Sequence, residues 1–301
     1  MNGRTVAIDL GGTHVRAAVV DPDGTVERRV RGATPIGDPR PDVLPRLVAE
    51  VAAGVAVERA VVGIPGIIDH DDETLVHAPN LPPAWTPFLT GDWLERATGI
   101  PVSLANDADL AAVGEATFGA GRQHHDVVYV TISTGVGGGM VVGDRLVRGI
   151  HSGGEIGHTV IDIEAARAGR PATVEELGSG PAIAAAAAAA GITERDDALA
   201  DLVRAGHPVA TALWRRAIEV VGFGVVNLAW LITPQIVVVG GGVGNNSDLV
   251  LPIIDEVLAR WGPAIDEPIE VAAAALGDDV ALAGAAAWFA AIGRNERGMV
   301  R

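Results

Sequence analysis

Two glycine-rich turns in this chain have the composition of phosphate-binding sites. In the first, Gly11, Gly12 and Thr13 separate two apolar, β-branched runs. Glycine lets the backbone approach a phosphoryl group and direct N–H donors at it, and Thr13 adds a hydroxyl donor. Asp9, at the end of the first run, can hold Mg²⁺ through water. The dinucleotide fingerprint G-x-G-x-x-G is a poorer match, because it leads from a strand into a helix and a second strand follows here.

The same layout returns from Val127 onward. The run VVYVTISTGVGGGMVV again places a strand-like segment, a turn of small residues and a second strand in succession, with Thr134, Gly135 and Gly137 in the turn. A single Gly-Gly pair is typical of a plain tight turn. Two copies of one layout indicate a duplicated domain, and two facing hairpins are expected to clamp a polyphosphate.

A third cluster, Gly240, Gly241 and Gly242, follows the buried-strand pattern QIVVV. The pattern predicts that these glycines stand at the entry of a helix, where a nucleotide base or ribose can rest against bare backbone. The same residues are also typical of a simple connection between a strand and a helix.

The spacing of apolar residues along the chain predicts the strands and helices that must position these turns. Short β-branched runs alternate with longer Ala- and Leu-rich segments, which indicates an α/β fold. The Ala-rich segment PAIAAAAAAAG is predicted to be an ordinary buried helix that ends at Gly191. The other predicted helices cover residues 43–53, 92–98, 107–118, 208–232, 248–260 and 279–292. Strands are predicted at residues 5–9, 14–20, 26–31, 60–63, 101–105, 235–239 and 268–272, besides the pair that begins at 127.

Composition excludes several classes of function. The 301 residues include 22 basic and 38 acidic side chains and no cysteine, so the net charge of −16 disfavours nucleic acid, and thiolate metal sites are impossible. Every basic residue is Arg, and the lack of Lys excludes P-loop, protein-kinase and Schiff-base chemistry. No uncharged apolar run is long enough to predict a membrane span. The opening residues lack a secretory-signal pattern, which predicts a cytoplasmic location.

Longer motifs follow one another along nearly the whole chain. They are D-x-G-G-T, VVGIPGIID, APNL, ANDAD, STGVGGG, GGEIGH, EELGSGPAI, VVVGGGV and LGDDVALAGAAA. Their composition and order resemble those of the ROK family of sugar kinases, in the actin-like superfamily. The resemblance implies an α/β, two-domain actin-like (ribonuclease H-like) fold with a cleft between duplicated lobes. It implies a smaller lobe at residues 1–114, with helix 280–301 packing back on it, and a larger lobe at residues 115–279.

The resemblance also implies roles for particular residues. Asp107 is the expected base that accepts the proton of the attacking sugar hydroxyl, a task for which a carboxylate of ordinary basicity suffices. An acid in the first turn of a helix also interacts favourably with the helix dipole, and the two roles are compatible. Residues 240–242 are expected to contact adenosine. Taken one at a time, the expected sugar-binding residues could equally be turn residues, charged loop residues or core residues. The expected set is Gly66, Asn80, Asn106, Asp107, Glu155, His158 and Glu175.

The chain departs from the family at one loop. Relatives usually carry C-x-C-G-x-x-G-C-x-E after G-E-I-G-H, and the three cysteines bind a structural zinc together with the final His. Here Ala166, Ala168 and Thr173 occupy the cysteine positions. Alanine and threonine cannot replace thiolate ligands, so we expect no zinc and a loop held by packing and hydrogen bonds.

Loss of the zinc removes the expected partner of His158. We expect another acceptor, a backbone carbonyl or a carboxylate such as Asp162 or Glu164, to orient its ring. A substitute metal site that includes His151 is the competing hypothesis.

Together these features predict an enzyme that uses ATP and Mg²⁺ to phosphorylate the 6-hydroxyl of a hexose, with glucose the favoured acceptor. The expected partners are a sugar and a nucleotide, and the family implies a homodimer. One alternative is a kinase for kanosamine or N-acetylmannosamine, because the acids Asp109, Glu155, Glu175 and Glu176 would suit a cationic amino sugar. Polyphosphate is an alternative donor, and a non-catalytic sugar sensor is the alternative outside enzymology.

Overall fold

The computed structural model describes residues 3–192 and 196–293, which divide into two compact units. Of the described residues, the first unit contains 3–123, Gly139–Gly153 and 275–293. The second unit contains His124–Gly138 and Gly154–Ala274.

The strands follow the β-branched runs of the sequence. They are β1 (Thr5–Leu10), β2 (His14–Val20), β3 (Val26–Ala33), β4 (Arg59–Ile64), β5 (Ile67–Asp69), β6 (Thr74–His77), β7 (Val102–Asn106), β8 (Val127–Ile132), β9 (Val136–Val142), β10 (Arg145–Leu146), β11 (Ile236–Gly240) and β12 (Glu270–Ala273). One five-stranded sheet has the order β3-β2-β1-β4-β7 and the other the order β10-β9-β8-β11-β12, while β5 and β6 form a separate pair. The two orders correspond strand for strand, so the predicted duplication is confirmed.

The helices lie between and after these strands. They are α1 (Val43–Val51), α2 (Gly91–Thr98), α3 (Asp107–Thr117), α4 (Ile163–Arg167), α5 (Val174–Gly178), α6 (Gly180–Ala189), α7 (Asp196–Arg204), α8 (Pro208–Ile232), α9 (Gly241–Gly244), α10 (Ser247–Trp261) and α11 (Val280–Ala291). Short 3₁₀ turns cover Pro83–Phe88, Ile156–His158 and Gly277–Asp279. Within the described residues, no helix combines the length and the apolar character that crossing a membrane requires.

In the first unit, α11 packs closely on α3. A Cβ atom on Gly284 would lie 1.9 Å from the carbonyl oxygen of Leu110, and one on Gly114 would lie 2.5 Å from that of Val280. The two helices therefore approach at a distance that only glycine permits. This contact fixes α3, whose first turn carries the predicted catalytic base.

In the second unit, α8 is the scaffold on which the smaller helices pack. A Cβ atom on Gly222 would lie 3.1 Å from Val257 of α10, and one on Gly224 would lie 3.1 Å from both Ile156 and Val174. These glycines let α8 approach the elements that carry the predicted sugar-binding acids.

Most predicted elements lie within two residues of their observed ends, but the description of the Ala-rich helix was wrong. Of α6, only Gly180, Ile183 and Ala187 are buried, and most of its alanines face solvent. The high helix propensity of alanine forms this helix without the extensive burial that its apolar composition suggested. The β5–β6 pair was not predicted, because its strands have only three and four residues.

The two units differ from the predicted lobes in their bounds. Residues 115–123, 139–153 and 275–279 belong to the first unit rather than to the larger lobe. The fully buried Glu115 holds the segments 115–123 and 275–279 in the first unit. Its carboxylate accepts hydrogen bonds from the N–H of Ala120 at 2.8 Å and from the N–H groups of Ala275 and Leu276, each at 2.9 Å. Residues 294–301 of the predicted last helix lie outside the described residues.

Candidate active site

The carboxyl ends of three parallel strands form the site of the first unit. The register pairs Asp9 of β1 with Gly63 of β4, and Gly63 with Ala105 of β7. Asn106 and Asp107 follow Ala105 directly, so the ends of these strands bring the predicted magnesium and catalytic residues to one edge of the sheet. Ligands bind at this edge in open α/β sheets.

Asn106 fixes the start of α3. Its Oδ1 atom accepts hydrogen bonds from the N–H groups of Ala108 at 2.8 Å and Asp109 at 3.2 Å, as an N-cap residue does. Its Nδ2 atom donates to the carbonyl oxygen of Gly66 at 3.1 Å. Asn106 is 7% exposed, and its amide joins the helix start to the Gly66 loop.

Asp107 is the first residue of α3 and is half-buried. Its Oδ1 atom accepts from the N–H of Ala108 at 2.9 Å, which holds the carboxylate at the positive end of the helix dipole. The acid is therefore fixed at the start of α3 in a position that is only half-buried.

The first glycine turn lies against Asn80. The turn is closed by a hydrogen bond from the N–H of Gly11 to the carbonyl oxygen of His14 at 2.9 Å, and Thr34 donates its hydroxyl to the carbonyl oxygen of Gly11 at 2.6 Å. A Cβ atom on Gly12 would lie 2.6 Å from the carbonyl oxygen of Asn80. The structure thus brings together a predicted phosphate turn and a predicted sugar-binding residue, and explains why position 12 is glycine.

Asp9 is paired with an arginine that the sequence did not single out. Arg16 lies opposite Asp9 in the β1–β2 register and donates its Nε atom to Asp9 Oδ2 at 3.0 Å, with a second contact from Nη2. Arg16 Nη1 also donates to the carbonyl oxygen of Asp278 at 2.8 Å. Since Arg16 engages Oδ2, the Oδ1 atom of this partly exposed carboxylate is the one suited to a water-mediated Mg²⁺ contact.

In the second unit, three predicted sugar-binding residues lie together. His158 Nε2 is 3.8 Å from Glu155 Oε2. Burial raises the pKa of Glu155, the charge of His158 opposes this rise, and the charge of Glu175 adds to it. The three side chains therefore form one electrostatic cluster.

The expected partners of His158 have other roles. Asp162 is the N-cap of α4 and accepts from the N–H of Ala165 at 2.8 Å, and Glu164 accepts from Arg167 Nη1 at 2.7 Å. The carboxylate that lies beside His158 is instead Glu155. Among the described residues, the side-chain contacts of Asp162 and Glu164 are made within α4, so they lend no support to the expectation that either acid orients His158. His151, the suggested extra metal ligand, lies in the first unit with its Nδ1 atom 3.0 Å from the carbonyl oxygen of Ile68.

Hydrogen bonds hold the loop in which Ala166, Ala168 and Thr173 stand where the family resemblance led us to expect cysteines. Thr173 and Glu176 form a capping box at the start of α5, in which each side chain accepts from the other residue's N–H. Glu176 Oε2 also accepts from the N–H of Ala172 at 2.9 Å. Backbone bonds add to this, including Ile161 N–H to Ala172 O at 2.8 Å. Position 173, a cysteine position in the family, thus supplies a helix cap.

The hydrogen bonds that Glu176 accepts from Ala172 and Thr173 lower the pKa of its exposed carboxyl. Across residues 3–192 and 196–293, no group of three or more His, Asp or Glu side chains is arranged to hold a metal ion.

A cavity of about 230 Å³ adjoins the second glycine turn. Its walls are Ser133, Thr134, Gly180, Pro181, Ile183, Trp214, Gly242, Val243 and Asn246, all in the second unit. Thr134 and Gly242 were predicted. The other predicted glycines do not line the cavity: Gly135, Gly137, Gly240 and Gly241. Gly241 has a different reason to be glycine, because its φ is +88° and a Cβ atom there would lie 2.5 Å from Thr131 Oγ1.

The apolar walls of this cavity were missed by sequence reasoning. Trp214 is 3% exposed and lies on the buried face of α8 with Ala210, Ala217 and Ile218. Its spacing on that face was a usable signal that Trp214 points inward. Asn246 donates its Nδ2 atom to the carbonyl oxygen of Val243 at 3.1 Å and accepts from Arg204, so its amide is held at the edge of the cavity.

Known proteins resemble the chain over nearly its full length. The model of the ROK family matches residues 5–292. The glucokinase of Streptomyces coelicolor is 33% identical, with 94% of this chain and 96% of that protein covered. An N-acetylmannosamine kinase of Escherichia coli O6:H1 is 34% identical, with 80% and 83% covered. The crystal structure of a ROK family glucokinase from Streptomyces griseus with glucose and AMPPNP has a TM-score of 0.76 at 32% identity, with 95% and 99% covered.

The repeated sheet, the glycine turns and these similarities define the class of protein. Two α/β units of matching topology form the two-domain, actin-like fold of sugar-phosphorylating enzymes. The chain belongs to the ROK family and is a sugar kinase, a phosphotransferase with an alcohol acceptor.

Proposed function

We propose that the protein transfers the γ-phosphoryl group of ATP to the 6-hydroxyl of a hexose and that glucose is the preferred acceptor. The observation that carries this proposal is the placement of Asp107 by Asn106 at the first turn of α3, on the sheet edge that also carries Asp9. Similarity to the Streptomyces glucokinases supports glucose as the acceptor.

In the proposed reaction, Asp107 orients the 6-hydroxyl group and accepts its proton. The hydroxyl oxygen forms a bond to the γ-phosphorus, and the bond from that phosphorus to the bridging oxygen breaks, so that ADP leaves. Phosphoryl transfer depends mainly on positioning and charge neutralisation. Asp107 is fixed by its own hydrogen bond to Ala108, so little reorientation is needed when the hydroxyl arrives.

We assign the other charged residues of the site, Asp9 and Arg16, to binding of the phosphoryl donor. Asp9 would hold Mg²⁺ through water, and that ion would supply charge neutralisation at the phosphates. Arg16 keeps the Asp9 carboxylate aimed by occupying its Oδ2 atom. The N–H groups of Gly11 and Val136 are already bonded within the protein. We assign the other backbone N–H groups of the turns at Gly11–Thr13 and Thr134–Gly137 to phosphate oxygens.

The cavity beside Thr134 supports a nucleotide as the donor rather than polyphosphate. Pro181, Ile183, Trp214 and Val243 give it apolar walls, and none of its nine lining residues carries a charge. A chain of phosphates would require cations, whereas a base and ribose suit apolar walls with hydroxyl and amide groups. ATP as the donor also supports the cytoplasm as the location.

In the first unit, we propose that Gly66, Asn80 and Asn106 bind sugar. In the second unit, we propose the same role for Glu155, His158 and Glu175. Hexose hydroxyls both donate and accept, so amides, carboxylates and imidazole complement them. A second candidate function is phosphorylation of an N-acetylamino or amino hexose. The similarity to the N-acetylmannosamine kinase favours it, and the cluster of Glu155 and Glu175 would attract an ammonium group.

A coupled assay of ADP release tests the proposal. We expect release with glucose and ATP, and background release with 6-deoxyglucose, which lacks the attacking hydroxyl. N-acetylmannosamine and kanosamine in the same panel decide the second candidate function, and polyphosphate in place of ATP tests the donor. Lack of ADP release with every sugar would support a sensor and refute the kinase assignment.

We further propose that the chain forms a homodimer through an apolar surface at the ends of α8 and α10. Its residues are Phe223, Trp230, Leu231 and Trp261, which are between 36% and 78% exposed. Chains with a net charge of −16 repel one another, and burial of these apolar side chains would favour self-association against that repulsion. Light scattering should give twice the monomer mass for the natural chain and the monomer mass for Trp230→Glu.

A further inference from the structure

Glu175, one of the predicted sugar-binding acids, also contacts the second glycine turn. Its Oε2 atom accepts a hydrogen bond from the N–H of Val136 at 3.0 Å. Val136 begins β9, directly after Thr134 and Gly135. A Cβ atom on Gly135 would lie 2.4 Å from the same Oε2 atom. The carboxylate therefore occupies the space beside the turn that the lack of a side chain at position 135 leaves open.

The other supports of this turn are backbone bonds. The N–H of Ser133 donates to the carbonyl oxygen of Gly135 at 2.8 Å, and the N–H of Gly180 donates to that of Ser133 at 2.8 Å. Neither bond extends past Gly135 toward β9. On that side, the pairing of β9 with β8 supports the strand, and the hydrogen bond from Val136 to Glu175 adds a charged acceptor at the residue where β9 begins.

Glu175 is itself held firmly. It is the second residue of α5, whose start is fixed by the capping box of Thr173 and Glu176. Its neighbour Val174 is completely buried, and a Cβ atom on Gly157 would lie 3.3 Å from the Cβ of Glu175. The backbone that carries the acid is thus anchored on two sides.

We propose that Glu175 is a positioning residue for the phosphate turn and couples sugar binding to nucleotide binding. This inference rests on the proposed kinase function. Oε2 holds the N–H of Val136, which leaves Oε1 to accept from a sugar hydroxyl. A sugar bound at Oε1 restricts the carboxylate to the orientation that fixes the turn, so the donors of the turn are in place for the donor phosphates.

Coupling of this kind is reciprocal. A sugar that orders the turn must raise the affinity for the nucleotide, and the nucleotide must raise the affinity for the sugar by the same factor. A residue that bound sugar alone would show no effect on nucleotide affinity in the absence of sugar. This difference separates a positioning role from a sugar-binding role.

Calorimetric titration with AMPPNP, with and without glucose, measures both quantities. In the natural protein we expect glucose to lower the Kd for AMPPNP by about fivefold or more. In Glu175→Ala we expect the Kd for AMPPNP without sugar to rise roughly tenfold, because a hydrogen bond to a charged acceptor is lost, and the effect of glucose to disappear. An unchanged Kd without sugar in this variant would overturn the proposal.

Two further variants keep the test decisive if Glu175→Ala is unstable. Glu175→Gln retains an oxygen for Val136 and an amide for the sugar, so we expect it to restore most of the nucleotide affinity. Gly135→Ala should displace the Glu175 side chain without changing it, and should cost little when added to Glu175→Ala. Fully additive effects of Gly135→Ala and Glu175→Ala would contradict the contact.

The matched control is Glu164→Gln, which removes one negative charge from the same loop at a site paired only with Arg167 among the described contacts. We expect its AMPPNP affinity to equal that of the natural protein. Failure of the proposed function is recognised separately, since the natural protein would then release no ADP with any sugar. An active natural protein whose Glu175→Ala variant binds AMPPNP normally refutes the positioning role alone.

Discussion

Replacement of Asp107 by Asn separates catalysis from the structural role of this residue. Asp107 Oδ1 accepts from the N–H of Ala108 at 2.9 Å, and an Asn side chain keeps an oxygen that can do the same. The amide can still hydrogen-bond the sugar hydroxyl, but it cannot take up the proton. We therefore expect sugar binding to survive and turnover to fail.

The magnitudes of the two roles differ enough to be measured. Loss of a general base typically costs about 10²- to 10⁴-fold in rate, which is about 3–5 kcal/mol in the barrier. Loss of a negative charge at a helix N-terminus costs about 0.3–1 kcal/mol of stability. The helix effect is too small to account for the expected loss of kcat.

The assay combines kcat from coupled ADP release with the Kd for glucose from calorimetry and a thermal melt. Asp92→Asn is the matched control, because Asp92 is also an acid in the first turn of a helix, α2, and its side chain is 90% exposed. We expect Asp92→Asn to retain full kcat. A kcat of Asp107→Asn within tenfold of the natural protein would show that Asp107 is not the base.

Four further outcomes are expected. Trp214→Ala removes an apolar wall of the cavity, so the KM for ATP should rise about tenfold. The KM for glucose is the internal control and should stay constant. Equal changes in both KM values would refute the assignment of the cavity to the nucleotide. Purified protein should be fully active after treatment with a zinc-selective chelator in excess Mg²⁺, and stoichiometric zinc in elemental analysis together with lost activity would overturn this expectation. Glu176→Ala should lower the Tm at neutral pH. The pKa of Glu176 is lower in the folded state, so the ionised carboxylate stabilises the fold above the ordinary pKa of 4.5, and this stabilisation is lost as the pH falls through the folded-state pKa. A difference in Tm between the natural protein and the variant that does not shrink on acidification below the folded-state pKa would contradict the capping role. Because the pKa of Glu155 is raised, kcat/KM for the sugar should fall at a higher pH than for an ordinary Glu as the solution is acidified, and Glu155→Gln should abolish this acid limb of the profile.

The sequence by itself determined the local elements and the layout of the two glycine turns. Runs of β-branched residues gave strands within two residues of their observed ends at β1, β2, β4 and β7, because strand formation there depends on neighbouring side chains along the chain. Asn106 is an N-cap whose type and place, an Asn directly before a predicted helix, are a local signal. The duplicated layout of the two glycine turns was likewise a local signal.

Tertiary structure decided which distant residues share a site. Trp214 and Pro181 lie on different helices, and only the packing of α6 and α8 brings both to the cavity beside Thr134. The pairing of Arg16 with Asp9 depends on the register of β1 and β2, in which a shift of one residue would turn every side chain to the other face.

The contact between Glu175 and Val136 has the same origin. The two residues are 39 positions apart, and neither type indicates the other in sequence. Their contact exists because α5 is capped at Thr173 and packed against α8 through Gly178, whose Cβ would lie 2.7 Å from Val221. A sequence pattern predicts the local structure that neighbouring residues favour. Contacts between distant segments depend on how whole helices and strands pack against one another, and only the folded structure shows that packing.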